Sequence, residues 1–412
     1  MARPPRTAAA RRHTRSLVHL AFLLAALLVA AGCGATDGDS SDPGGDDAKE
    51  AVERPAPETE PADDPEPAAA ADPSADLPLE ALAGELIMTK LVGPTASEEE
   101  LRAVARLQVG GIILFGPSVV DEAQLRVLLG SLREARSAPA TRAGLPAGLL
   151  VSVDQEGGEI RNVPFAPPEF TQPGLAAQPV ATTLAETKAT GSALADLGIT
   201  MDLGPVADLA QQPNRTMAGR AFGDDPATVA KYVGASVRGL EQGGVAAVAK
   251  HFPGFGASTA NSDEAIAHVD RSLADLRATE LVPFRAAIDA GVDAVMVSHG
   301  IHRELGSELP GTLDPRIATT LLRDELGYEG VAMTDSMNAR GLREAWGDTV
   351  PRACPVAIAA GIDLMLLTGT IETARLCRER ILEAVRTGEL PEERVREAAR
   401  RVMELRERTA AA

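Results

Sequence analysis

The sequence predicts an α/β fold: a TIM (β/α)8 barrel over residues 78–412, preceded by a signal peptide and a disordered acidic linker. Three observations carry this reading. Eight short apolar runs alternate with helix-like stretches, the order that gives parallel strands joined by right-handed crossovers. Charged and polar residues follow several of those runs, which is where a barrel keeps its chemistry. No G-x-G-x-x-G or G-x-x-x-x-G-K-S/T pattern opens a helix, which disfavours an open nucleotide-binding sheet.

Residues 1–33 carry five arginines and no acid, and include the apolar run SLVHLAFLLAALLVAA at 16–31. That run is shorter than the roughly 20 residues needed to span a bilayer. It ends in Ala30-Ala31-Gly32-Cys33. Basic, apolar and small residues in that order read as an export signal. Small residues before a cysteine are similar to a bacterial lipoprotein signal, which implies lipidation of Cys33. The expected location is the outer face of the bacterial cytoplasmic membrane, held by an N-terminal lipid anchor. Residues 34–77 hold fourteen acids against Lys49 and Arg54, with Pro, Ala and Gly between them. Such a stretch buries too little apolar surface to offset its ordering entropy, and like charges extend it.

The predicted strands are 86–92, 111–115, 149–153, 199–203, 246–249, 294–297, 331–334 and 364–367. Predicted helices include 98–108, 121–135, 183–197, 226–242, 273–290 and 315–325. After the runs come Asp154-Gln155-Glu156, Lys250-His251, Ser298-His299 and Asp335. Each could serve as a cap or loop residue; four such ends pointing at one mouth favour a site. A net charge of -19 argues against a nucleic-acid partner, and 3% aromatic residues leave no long stacking platform. Three cysteines are too few and too far apart for a zinc ribbon. Outside the cytosol, Cys354 and Cys377 are free to pair. The histidines are not in metal-ligand spacing, so no metal or other cofactor is expected. A monomer is expected.

The string Lys250-His251-Phe252-Pro253-Gly254-Phe255-Gly256 resembles the KHFPGHG signature of glycoside hydrolase family 3. More narrowly, it resembles that of the single-barrel β-N-acetylhexosaminidases of bacterial cell-wall recycling. Four further segments agree: the DQEGG of 154–158, Gly204-Pro205-Val206-Ala207-Asp208, Arg220-Ala221-Phe222-Gly223, and the block from Leu321 to Asp335. The resemblance covers about residues 80–405 and implies a retaining glycosidase with Asp335 as nucleophile. Such an enzyme needs an ionised carboxylate to form a covalent glycosyl-enzyme. By the same resemblance Asp154, Arg220, Lys250 and His251 grip the terminal sugar, with His299 placed behind them. The implied partner is a carbohydrate: a glycan ending in a non-reducing β-linked amino sugar, from peptidoglycan or a surface polymer.

The pattern also breaks. Where the family has an Asp-Ser-His triplet carrying its acid/base histidine, this sequence has Asn261-Ser262-Asp263. Phe255 replaces the second histidine of KHFPGHG, and Glu159 and Asn162 stand where the family has arginines. Three readings follow. Asp263, or its neighbour Glu264, replaces the imidazole as proton donor, its pKa raised by burial or by Asp335. A realigned loop brings His268 instead. Or the chain is a catalytically impaired envelope protein that still binds glycans.

Overall fold

In β-strands buried on both faces, alternate residues point into the barrel and out toward the helices. The computed structural model describes residues 72, 74–211, 216–347 and 349–411, and shows this pattern throughout. The strands are β1 (Ile87–Lys90), β2 (Gly111–Leu114), β3 (Leu150–Val153), β4 (Gln155–Gly157), β5 (Ile160–Arg161), β6 (Met201–Asp202), β7 (Ala246–Phe252), β8 (Ala294–Val297), β9 (Val331–Thr334) and β10 (Met365–Leu367). All eight predicted strands are present, and β4 and β5 form an added antiparallel hairpin. The eight pair in parallel in the order β10-β1-β2-β3-β6-β7-β8-β9. A parallel bridge between Met333 and Leu364 joins the two ends and nearly closes the ring. The Leu366 N–H also donates to Thr334 Oγ1 at 3.0 Å there.

The inward residues form their own cluster. Met88, Ile113, Leu150, Met201, Val248, Met296, Met333 and Leu366 fill the barrel. Val402 and Leu405 of the C-terminal helix Glu392–Ala411 join them. The outward residues pack under the helices in a second, larger cluster. Glu85, just before β1, is fully buried between Arg136 and Arg406. The Arg136 Nη2–Glu85 Oε1 distance is 2.8 Å. Burial raises the Glu85 carboxyl, but the two guanidinium groups outweigh it and the net shift is downward. Asp363, just before β10, is enclosed in the same way by Arg323, Arg394 and Arg401.

Several boundaries differ from the sequence expectation, for physical reasons. The strand expected over 86–92 ends at Lys90. The helix expected over 273–290 is two helices, Leu273–Ala278 and Leu281–Asp289. Pro283, which lacks an N–H, fits only in the first turn of a helix. The helix expected over 121–135 runs from Glu122 to Ala143, carrying buried Arg136 and Ala140 inward, and stops at left-handed Gly144. Segment Arg316–Glu325 is π-helical. Ser74–Leu77, the end of the predicted linker, is pinned by Arg396, whose Nη1 donates to the Ser74 carbonyl at 2.7 Å. The predicted signal peptide, Cys33 and residues 34–71 lie outside the described residues. Cys354 and Cys377 form a disulfide, with Cα atoms 5.8 Å apart.

Candidate active site

Alternation decides what reaches the mouth. Leu150 and Ser152 point inward on β3, so Asp154 does too; Ala246 and Val248 carry Lys250 inward on β7; Val331 and Met333 carry Asp335 inward on β9. These ends open into a cavity of about 490 Å³. Its lining includes Asp154, Glu156, Arg220, Lys250, His251, Asp263 and Asp335. Six of the residues proposed from sequence are thus brought together.

Glu156 was not singled out by sequence. The backbone turns back after β4 through Gly157 and Gly158, both at positive φ. A Cβ on Gly157 would collide with the Phe170 carbonyl oxygen. The alternation that carries Ser152 and Asp154 inward sends Gln155 out and Glu156 in. Gln155 braces the neighbouring loop, its Nε2 donating to the carbonyls of Val163, Ala166 and Pro167 at 3.0–3.1 Å. Glu156 takes a bidentate pair from Arg220, Nε–Oε2 2.9 Å and Nη2–Oε1 2.7 Å. Lys250 Nζ lies 2.7 Å from Glu156 and 2.6 Å from Asp154. Burial raises the Glu156 carboxyl, but Lys250 and Arg220 bring it down to about 2. Burial likewise works against the Lys250 ammonium, and Asp154 and Glu156 leave it raised. The result is a fixed array of ionised donors and acceptors suited to sugar hydroxyls. Arg220 is delivered by a short helical turn, Met217–Gly219, held by buried Gln172, which bonds both Val206 and the Arg220 carbonyl.

His251 is fixed by Asp208, a fully buried carboxylate. Asp208 Oδ2 lies 2.7 Å from His251 Nδ1, and Oδ1 accepts from the Phe255 N–H at 2.7 Å. Asp208 ends the string Gly204-Pro205-Val206-Ala207-Asp208, and nothing in that string signals this contact. The peptide bonds Lys250–His251 and Phe252–Pro253 are cis.

Asp335 continues the ladder: its N–H donates to the Val297 carbonyl at 3.0 Å, and its Oδ1 accepts from the Ser336 N–H at 2.7 Å. Burial raises its carboxyl, yet His251, His299, the Ser336 N–H and Lys250 outweigh that and lower it. Asp263 goes the other way. Its surface is open, but crowding at the mouth and the charge of Asp335 raise its pKa. Two carboxyl groups of one cavity are therefore pushed apart, one toward the anion and one toward the acid.

The loop bearing Asp263 rests on the start of helix Arg340–Trp346. The Gly341 N–H donates to Ser262 O at 2.9 Å and the Arg340 N–H to Asp263 O at 3.3 Å. A side chain at Gly341 would strike the Ala265 and Ser262 carbonyl oxygens, so only glycine allows this approach. His299 stands behind the cavity rather than lining it. Its Nε2–H donates to Ser336 O and its Nδ1 shares a hydrogen bond with Thr312 Oγ1, both at 2.8 Å. Burial lowers its pKa. Glu264 and His268 do not line the cavity. Among the described residues, no cluster of His, Cys, Asp or Glu is arranged to hold a metal ion.

Residues 79–405 match the family model described as glycosyl hydrolase family 3 N terminal domain. An uncharacterized secreted glycosyl hydrolase of Arthroderma benhamiae is 30% identical over 349 residues, covering 83% of this chain and 97% of its own. A β-hexosaminidase of Bordetella avium is 32% identical over 311 residues, covering 72% of this chain and 83% of its own. A solved family 3 β-N-acetylglucosaminidase from Paenibacillus sp. superposes with a TM-score of 0.76 at 32% identity. That match covers 81% of this chain and 63% of the longer protein.

Proposed function

The chain belongs to glycosyl hydrolase family 3 and is a β-hexosaminidase-like glycoside hydrolase, and we propose that it removes terminal, non-reducing β-linked N-acetylglucosamine with retention of configuration. The substrate is a glycan from peptidoglycan or the cell surface. The observation that carries this reading is the pair Asp335 and Asp263, which share one cavity with pKa values moved in opposite directions.

Asp335 attacks C1 as the anion and forms a glycosyl-enzyme, while Asp263 protonates the leaving oxygen. Water then enters with Asp263 as base and releases the sugar. Asp154, Arg220, Lys250 and His251 hold the glycone, Glu156 fixes Arg220 and Lys250 in place and Asp208 fixes His251, and His299 supports Asp335 from behind through Ser336. The basic, apolar and small-residue order before Cys33 supports an extracytoplasmic enzyme tethered by lipid at Cys33, with 34–77 as spacer. The Cys354–Cys377 disulfide suits an oxidising compartment.

The replacement of the family's acid/base dyad by Asn261 and Asp263 favours a second reading, in which the chain binds such glycans but turns them over poorly. Assay of the full chain on an aryl β-N-acetylglucosaminide and on a natural disaccharide separates the two. The first reading expects turnover that Asp335→Asn lowers by roughly four orders of magnitude, about 5.5 kcal/mol of barrier. No turnover above that variant, with glycan binding retained, would establish the second.

A further inference from the structure

Around the barrel, β1 stands opposite β7 and a quarter-turn from both β3 and β9. Met88 on β1 packs in the interior, so Lys90, two residues on, points inward at the mouth and lines the cavity. The inward ends of these four strands therefore alternate in sign: Lys90, Asp154, Lys250, Asp335. The two other cations of the mouth are already satisfied, Lys250 by Asp154 and Glu156 and Arg220 by a bidentate Glu156. Lys90 is partly buried and has no acidic partner within ion-pair distance among the described residues. Its neighbours in the lining are Ile113 and Phe115 from the β2 side and Leu366 and Thr368 from the β10 side, none of them charged.

The polar grip for the terminal sugar thus lies on the β3 and β7 side, and the opposite side offers one free cation beside an aromatic ring. We propose that Lys90 is a specificity-determining residue that binds a carboxylate on the leaving-group sugar, so that the enzyme selects acidic over neutral glycosides. The proposal rests on the reading that a pyranose sits with C1 against Asp335. An ammonium held at a low-dielectric rim with no protein acid to satisfy it gains a charge-assisted hydrogen bond from such a ligand.

The test compares an aryl β-N-acetylglucosaminide bearing a ring carboxylate with its neutral counterpart, using the full chain. The wild type should favour the carboxylate by about tenfold in kcat/KM, mostly through KM, as one charge-assisted bond provides. Lys90→Met should bring that ratio close to one, and Lys90→Arg should restore much of it. A wild-type ratio near one, or a ratio that Lys90→Met leaves unchanged, would overturn the proposal. Nonhydrolysable thioglycosides with and without the carboxylate, titrated onto Asp335→Asn, give the same ratio as binding. If neither aryl glycoside is turned over, the hydrolytic reading fails while this titration still decides the role of Lys90.

Discussion

At the amino-terminal end of the barrel, Glu85 lies between Arg136 and Arg406, and Asp363 is held by Arg323, Arg394 and Arg401. At the carboxyl-terminal end, Asp263 faces Asp335, another acid, and Lys90 faces a cavity. At the lower end the protein itself pairs its buried charges with opposite ones, which offsets their desolvation and leaves no free charge for a ligand. At the upper end like charges meet and one cation goes unmatched, arrangements that cost stability and suit a bound, reacting molecule. Charge alone does not mark a site in this fold; charge whose partner the protein withholds does.

The comparison breaks first at Asp263. Asp263→Asn should slow hydrolysis of a natural disaccharide by about 10²–10⁴-fold. The loss should be smaller on an activated aryl glycoside, whose leaving group needs little protonation. The pH profile adds a second readout. In the proposed mechanism Asp335 acts ionised and its pKa is lowered, so the acid limb lies below the usual carboxylate range; Asp263 acts protonated and its pKa is raised, so activity falls as that proton is lost above the usual range. Asp263→Asn should remove the alkaline limb and leave the acid one. An alkaline limb that persists in the variant would assign it to another group.

Glu85→Gln probes the other end. It leaves two buried guanidinium groups facing a neutral amide, which should cost about 3–5 kcal/mol in denaturant unfolding. The kcat of the folded fraction should not change, because the floor holds no ligand. A variant of normal stability with reduced kcat would erase the distinction between the two ends.

The sequence displayed the barrel well because strands buried on both faces read as apolar runs, and it displayed Asp335 and Lys250 because each follows such a run. It hid Lys90 because the first run continues as Leu91 and Val92, so the strand seemed to pass through the lysine and the mouth was placed two residues late. Glu156 follows Ser152 and Asp154 on the inward alternation, but local pattern does not show that Arg220 and Lys250 both converge on its carboxylate. Asp208 under His251, and Glu85 between arginines 51 and 321 residues away, are contacts of tertiary structure. Local pattern tells which residues end strands; it does not tell which distant charges have been matched.

Asp202 lies between the two regimes and gives the smallest expected effect. It follows inward Met201 on β6, so it points out of the barrel and is buried beneath the helices, where its Oδ1 accepts from the Gln155 N–H at 3.0 Å. Burial, reinforced by Asp154 and Glu156 and opposed by that N–H and Lys250, raises its pKa from 3.8 to about 7. Between those two values the folded chain keeps a proton that the unfolded chain has released. Stability contributed here is therefore present below pH 4 and is lost as pH rises toward 7. Each pH unit costs about 1.4 kcal/mol, for a total of up to about 4 kcal/mol. Asp202→Asn keeps the acceptor for Gln155 but cannot titrate, so the wild type should lose stability relative to it between pH 4 and 7 in parallel denaturant unfolding. Equal slopes for the two proteins would mean that Asp202 is ionised in the fold and matched, like Glu85, by a partner of its own.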